Sequence, residues 1–209
     1  MSESIRSRMV GDETTGSLTP ESWIMAGFRA LAAGGPAAIK VEALAREIGA
    51  TKGSFYWHFK DAAALKGAML AAWKQAATEE VIAATAQQDD AESRLMALMA
   101  MAAAEPGPQW AGRLAEPAIR DWARYEPAVK AFVETIDRQR EAYVAQLFQE
   151  LGADEARART LGALLYAAYV GRSHMDRLAG EAGAELADFA GALIKSVQAG
   201  LSPQTGQLP

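Results

Sequence analysis

"GATKGSFYWHFKD", Gly49 to Asp61, sets four aromatic rings (Phe55, Tyr56, Trp57, Phe59) beside one histidine and two lysines. Rings at that density are core material, yet the stretch is polar and opens on a glycine. Helical spacing divides the work. Phe55 and Phe59 are four residues apart, share one face, and can pack inward on Leu44 and Ile48. Ser54, Tyr56 and His58 then take other faces, with Thr51 and Lys52 at the N-terminal end. Apolar rings anchor such a helix while hydroxyl, ammonium and imidazole groups face outward, as a recognition helix requires. Gly53 lets the backbone approach a partner closely. The same pattern also fits a helical hairpin with a wet aromatic edge.

Upstream, Val41, Leu44, Ala45 and Ile48 recur at i, i+3, i+4 and i+7, which predicts a helix over Val41 to Ile48. Gly49 follows as a left-handed C′ residue, and Thr51 is placed to cap the next helix. Two short helices joined by a glycine turn make a helix-turn-helix pattern. A first helix opens at Thr19-Pro20-Glu21-Ser22, carries Ile24, Phe28 and Leu31, and stops at Gly34-Gly35-Pro36. Downstream, Asp61 is a good cap for a long helix to about Gln88, and Asp89-Asp90 precedes a fifth over about 91–104. Glu105-Pro106-Gly107-Pro108 is the clearest breaker. Pro117 and Pro127 predict helices over 118–124 and 127–151, and two more are expected over about 153–178 and 184–201. The fold class is therefore all-α. A polar arm (1–16), a helix-turn-helix head (17–66), a helical body (67–201) and a frayed tail (202–209) are the expected divisions.

Composition agrees. Of 209 residues half are hydrophobic, much of that alanine, and β-branched residues are sparse. There is no cysteine, which excludes disulfides, thiolate metal sites and cysteine nucleophiles. No apolar run is long enough to cross a bilayer and the start lacks a signal-peptide core, so a cytoplasmic protein is expected. The formal net charge of −5 argues at first against nucleic acid. Residues 17–66, however, carry six Lys or Arg against four Asp or Glu, so a mildly basic head sits on an acidic body. Enzyme chemistry finds no support. The only histidines, His58 and His174, lack a metal-ligand spacing, and no phosphate-binding glycine loop or G-x-S-x-G occurs. Ser173 and His174 are adjacent and diverge on a helix, so they form no nucleophile–base pair. No cofactor and no metal is expected.

Val41 to Asp61, "VEALAREIGATKGSFYWHFKD", resembles the signature of the TetR-type (tetracycline-repressor) transcriptional regulators. The resemblance is specific over about residues 17–70; beyond them it rests on length and helical layout. It implies a homodimer whose heads bind a palindromic operator on double-stranded DNA, and a body that binds a small-molecule effector. By position it assigns Thr51, Lys52, Gly53 and Ser54 to the base-facing end, and Tyr56 and His58 to phosphate contacts. Lys60 is a weaker contact. Trp57 is divided between a backbone contact and packing, with packing slightly favoured. The family often has a threonine capping the second helix, where this chain has Ile39-Lys40, and a lysine after the third, where it has Ala62. Fewer phosphate contacts imply weaker binding or a shallower salt dependence.

In the body, Leu161, Leu165, Ala168, Arg172 and Met175 line one stripe, and Leu186, Phe189, Ala190, Leu193, Ile194 and Val197 another. Pattern alone allows ordinary core; the resemblance turns the last two helices into a four-helix dimer interface, for which all of these except Met175 are the candidates. A pocket among the middle helices would draw on Met96, Met99, Trp110, Trp122, Phe132, Tyr166 and Tyr169, which suggests a largely apolar effector. Arg120, Asp121 and His174 are polar groups in apolar surroundings, expected at the surface or in internal pairs. The rival to a repressor is a non-catalytic helical interaction protein, which would be indifferent to Tyr56→Ala and Lys52→Ala.

Overall fold

The computed structural model describes residues 19–104, 114–175 and 181–201, without the side chains of 181–183 and 201. Among the described residues the regular structure is helical throughout. The elements are α1 (Pro20–Gly34), a 3₁₀ turn (Pro36–Ala38), α2 (Val41–Glu47), α3 (Lys52–His58) and α4 (Ala62–Lys74). Then come a π-helical segment (Gln75–Glu79), α5 (Glu80–Thr85), α6 (Ala91–Ala103), α7 (Ala115–Ala123), α8 (Pro127–Glu150), α9 (Glu155–His174) and α10 (Glu181–Leu201).

Local signals set the boundaries. Gly35, Gly49 and Gly152 have positive φ. At the second and third, Ala50 and Ala153 donate their N–H back to the carbonyls of Ala45 and Phe148, closing the helix ends in Schellman fashion. Thr51, Asp61, Asp90 and Asp154 each cap a helix through the side chain. Lys40, where a capping threonine was missed in the sequence, gives α2 no side-chain cap.

Several boundaries differ from those expected, α9 among them, which ends at His174. The helix foreseen from Asp61 to Gln88 is interrupted by five π-helical residues and ends at Thr85. α7 begins at Ala115, ahead of Pro117, which sits inside its first turn. The last helix starts at Glu181. The breaker at 105–108, the expected arm and the expected tail lie outside the described residues.

Two apolar clusters form the interior. The first joins Trp23, Phe28 and Leu31 of α1, Leu44 of α2, Phe55 and Phe59, Leu65, Met69 and Trp73 of α4, Ile119 and Trp122 of α7, and Val129, Val133 and Ile136 of α8. The second joins Leu95 and Met99 of α6, Val144, Leu147 and Phe148 of α8, Leu161 and Leu165 of α9, and Leu186, Ala190, Ile194 and Val197 of α10. The division expected at residue 66 falls inside α4, and the first cluster runs straight across it. α8 is the shared axle. Against it α9 packs so closely that a Cβ on Gly162 would lie 2.9 Å from the Ala145 amide nitrogen.

Candidate nucleic-acid interface

α3 is only seven residues long, so its own hydrogen bonds cannot hold it. It is held instead by Phe55, which is fully buried, and by Phe59. The Phe55 ring meets Trp23 edge-on at 5.1 Å between centroids, and Phe59 lies 5.6 Å from it. An Arg29–Glu47 ion pair ties α1 to α2. Phe59 and Asp61 then turn the chain into α4, where the Asp61 carboxylate accepts the Ala64 N–H at 2.8 Å. That carboxylate occupies the helix N-terminus, which leaves little welcome for a phosphate there.

The opposite side of α3 is open. Thr51, Lys52, Gly53, Tyr56, Trp57, His58 and Lys60 are exposed and Ser54 is half-buried. All eight side chains or backbones expected at a DNA surface thus reach solvent, on one short helix and its flanks. Thr51 Oγ1 accepts the Ser54 N–H at 3.1 Å, and Ser54 Oγ donates to the Thr51 carbonyl at 2.8 Å, so the two hydroxyls are ordered at the reading end. Tyr56 leans edge-on against Phe55 and is half exposed. Trp57 corrects the packing preference: its indole is 88% exposed. The reason is geometric, since a residue two places from both Phe55 and Phe59 projects across the helix from them.

One neighbour leaves no trace in the sequence pattern. Glu42 of α2 forms an ion pair with the Lys52 ammonium. The hydrogen bond to Lys52 lowers the Glu42 carboxyl, and its counterpart raises Lys52. Ten residues separate the two in sequence, and only the tight turn at Gly49 brings them together.

The expected ligand residues are dispersed. Trp122 belongs to the first apolar cluster, with Phe132 packed against it; Met99 belongs to the second, with Tyr169 packed against it. Met96 is exposed beside an open, acidic cleft with Asp90, Glu92 and Glu150. Trp110 lies outside the described residues. Tyr166 and Tyr169 stack at 6.1 Å, with the Tyr166 hydroxyl bonded to Asp137, and the Trp122 indole N–H donates to Glu126 at 2.6 Å. Of the three polar groups singled out, Asp121 and His174 are exposed, whereas Arg120 is internally paired.

That pairing opens onto a buried polar cluster. Arg120 grips Asp137 with two hydrogen bonds of 2.8 and 3.2 Å and bonds Glu116 at 2.9 Å. Arg140 donates to both Glu116 oxygens at 3.0 and 3.2 Å, to Thr78 Oγ1 at 2.9 Å and to the Ala77 carbonyl at 3.0 Å. Trp73 Nε1 also donates to Glu116, and the Tyr166 hydroxyl donates to Asp137 at 2.7 Å. Two guanidinium groups face two carboxylates, so the buried charge is balanced. Burial opposes ionisation of Asp137, but the Arg120 and Tyr166 hydrogen bonds outweigh it and hold the carboxyl below its usual range. Burial pushes the Tyr166 phenol up. Glu116 and Arg120 are i, i+4, the one trace of this cluster visible in the sequence; Asp137 and Arg140 come from α8.

The side chains expected between protomers are mostly spent within one chain. Leu161, Leu165, Leu186, Ala190, Ile194 and Val197 are buried against α6 and α8. Ala168, Arg172 and Leu193 are half-buried and Phe189 is exposed. Arg172 pairs with Glu185 at 2.7 Å. The apolar surface left on these helices is the next stripe round: Leu164, Ala167 and Gly171 of α9, Met175 just after it, and Phe189 and Ala192 of α10.

Residues 24–69 match the family described as bacterial regulatory proteins, tetR family. No curated protein sequence matches the chain. Among solved structures, a transcriptional regulator from Rhodococcus sp. Rha1 superposes with a TM-score of 0.65 at 19% identity, over 88% of this chain and 97% of that one. A TetR-family transcriptional regulator from Mesorhizobium loti gives 0.61 at 22% identity, over 86% and 95%. Escherichia coli NemR in its reduced form gives 0.61 at 17% identity, over 85% and 96%. At these identities the likeness is one of fold. No described helix is long and apolar enough to cross a membrane.

Proposed function

We propose, from the match of residues 24–69 to the tetR family of bacterial regulatory proteins, that the chain is a DNA-binding transcriptional regulator of that family: a homodimeric repressor released from a palindromic operator by a small ligand. The observation that carries the reading is the division of α3. Its two phenylalanines are buried while Thr51, Lys52, Tyr56, Trp57 and His58 share an open surface. Lysine and the hydroxyls suit base edges at the N-terminal end, and Tyr56, Trp57, His58 and Lys60 suit phosphates.

Reading two half-sites requires two heads about 34–36 Å apart, hence a fixed dimer. The outer stripe of α9 and α10, with Leu164 53% exposed, is the surface we assign to the mate. An effector in the body would favour a conformation whose heads no longer match the operator, and DNA and effector would oppose each other reciprocally. The side chains of the middle helices suit a largely apolar effector; a thermal-shift screen in which only sugars or anions stabilise the protein would remove that class.

The test is fluorescence anisotropy on DNA upstream of the protein's own gene and on a genome-wide fragment pool, across a salt series. Wild type should bind one or more sites with a steep salt dependence, saturating at one dimer or a pair of dimers. Tyr56→Phe keeps the edge contact to Phe55 yet removes the hydroxyl, and should weaken binding. Leu164→Glu should yield monomers in light scattering and lose the operator. Binding no tighter than to random DNA across the whole pool would overturn the reading in favour of a helical interaction protein.

A further inference from the structure

Along α8 the side chains change character in order. Val129, Val133 and Ile136 belong to the apolar cluster that contains the DNA-reading head; Val144, Leu147 and Phe148 belong to the cluster of α6, α9 and α10. Between them lie Asp137 and Arg140, whose partners are Glu116, Arg120, Thr78 and Tyr166. One turn further, the Thr85 hydroxyl lies 2.6 Å from that of Tyr143, again in the gap. A polar seam thus divides two hydrophobic bodies. Apolar interfaces tolerate sliding, whereas hydrogen bonds of fixed direction specify one register.

The helical strand that carries the head crosses this seam in the π-helical segment. There the Glu80 N–H bonds the Gln75 carbonyl, five residues back, and Arg140 takes up both the Ala77 carbonyl and the Thr78 hydroxyl. Arg140 is 8% exposed, lies 4.9 Å over the Trp73 ring, and is anchored from behind by Glu116. Its fork therefore reaches the one stretch of the strand where the α-helical ladder is broken. π-bulges inside α-helices are recurrent at functional sites.

We infer that Arg140, oriented by Glu116, is a positioning residue for DNA reading: it fixes the π-helical register of the strand and so fixes where α4 holds the head relative to the body. The inference rests on the DNA-binding reading but names Arg140, 82 positions past His58 at the end of α3. Arg140 touches no DNA. It acts through Ala77 and Thr78, which act through α4, whose Leu65 and Met69 pack under α1.

The test uses the full-length protein, whose lack of cysteine permits clean labelling. Cysteines replacing exposed Arg46 of α2 and exposed Ala156 of α9 carry a dye pair, and labelled chains are diluted into unlabelled protein. Head-to-body distance is read by single-molecule energy transfer, and operator affinity by anisotropy. Arg140→Lys keeps the charge but cannot serve Glu116, Thr78 and Ala77 together. Thr78→Val removes only the acceptor for Arg140 at nearly constant shape, so it tests the idea even if the lysine variant folds poorly. Asp137→Asn is the matched control, because it weakens the same cluster at Arg120 and Tyr166 and leaves the bonds of Arg140 to Thr78 and Ala77 in place.

Thr78→Val and Arg140→Lys should shift or broaden the distance distribution and weaken operator binding at least fivefold in folded protein. Asp137→Asn should lower the melting temperature while leaving both readouts near wild type. An unchanged distance distribution in folded Thr78→Val would overturn the inference, as would equal effects of all three variants, which would mark the cluster as merely structural. Should wild type show no specific DNA site, the transcriptional reading fails, and the distance measurement still decides the role of Arg140.

Discussion

Trp57 and Phe55 are two residues apart and do opposite jobs. Phe55 is sealed under the head, so Phe55→Ala should cost about 3–5 kcal/mol through lost contacts and a cavity. Trp57 has almost no contact to lose. Trp57→Ala should leave the thermal midpoint unmoved and weaken operator binding about tenfold, the worth of one charge-assisted bond to phosphate. Melting curves and anisotropy on both variants separate the roles, and a midpoint several degrees lower in Trp57→Ala would show that the indole packs in solution. The placement was legible in the sequence, because Phe55 and Phe59 define a face and Trp57 falls across from it. The preference for packing came from the residue's hydrophobicity and not from its position. The Glu42–Lys52 contact was not legible, because a carboxylate on one helix and an ammonium on the next meet only when the turn between them is fixed.

Among the elements, α1, α2 and the starts of α3 and α4 were readable nearly to the residue because their signals are local: Thr19-Pro20, the positive-φ glycines, and the capping Thr51 and Asp61. α10 was readable as a helix with an apolar stripe but not as to what the stripe meets. Leu186, Ala190, Ile194 and Val197 would look the same against α6 of their own chain or against a mate, and the choice is made by α6 and α8, dozens of residues away. α8 and α9 illustrate a requirement that only packing reveals. Gly162 faces the Ala145 backbone and the Glu141 carbonyl at 2.9–3.1 Å, and a main chain cannot swing aside as a side chain can. Gly162→Ala should therefore destabilise the protein by about 1–3 kcal/mol, despite alanine's better helix propensity. Urea unfolding measures it. A gain in stability would mean that the two helices separate at little cost.

At the scale of the molecule, the polar seam makes stability depend on acid. Asp137 is held below its usual carboxyl range, so its contribution is complete above the unfolded value, about 3.9, and fades as pH falls through the lower folded value. Asp137→Asn should be less stable than wild type at pH 7, with the gap closing below about pH 4. Urea midpoints at pH 7 and pH 3 test the sign; a constant gap would mean that lost geometry, not charge, accounts for the variant. The seam itself escaped the sequence because its members are ordinary surface pairs in isolation. Glu116 and Arg120 resemble an exposed i, i+4 bridge until α8 and α9 close over them.

The five π-helical residues carry a last consequence, for the chain's history. A turn closed by a bond from Glu80 to Gln75 holds one residue more than an α-turn, which is the geometry of a single-residue insertion absorbed without disturbing either flank. Removing Ala76 should restore an unbroken α-helix from Ala62 to Thr85, with Trp73 before it and Thr85 after it in their present places. Such a deletion would ordinarily wreck a helix that packs on both sides. Here the shortened chain should still fold by circular dichroism, while Trp73 fluorescence changes because the Ala77 carbonyl withdraws into the ladder and Arg140 loses its hold above the indole.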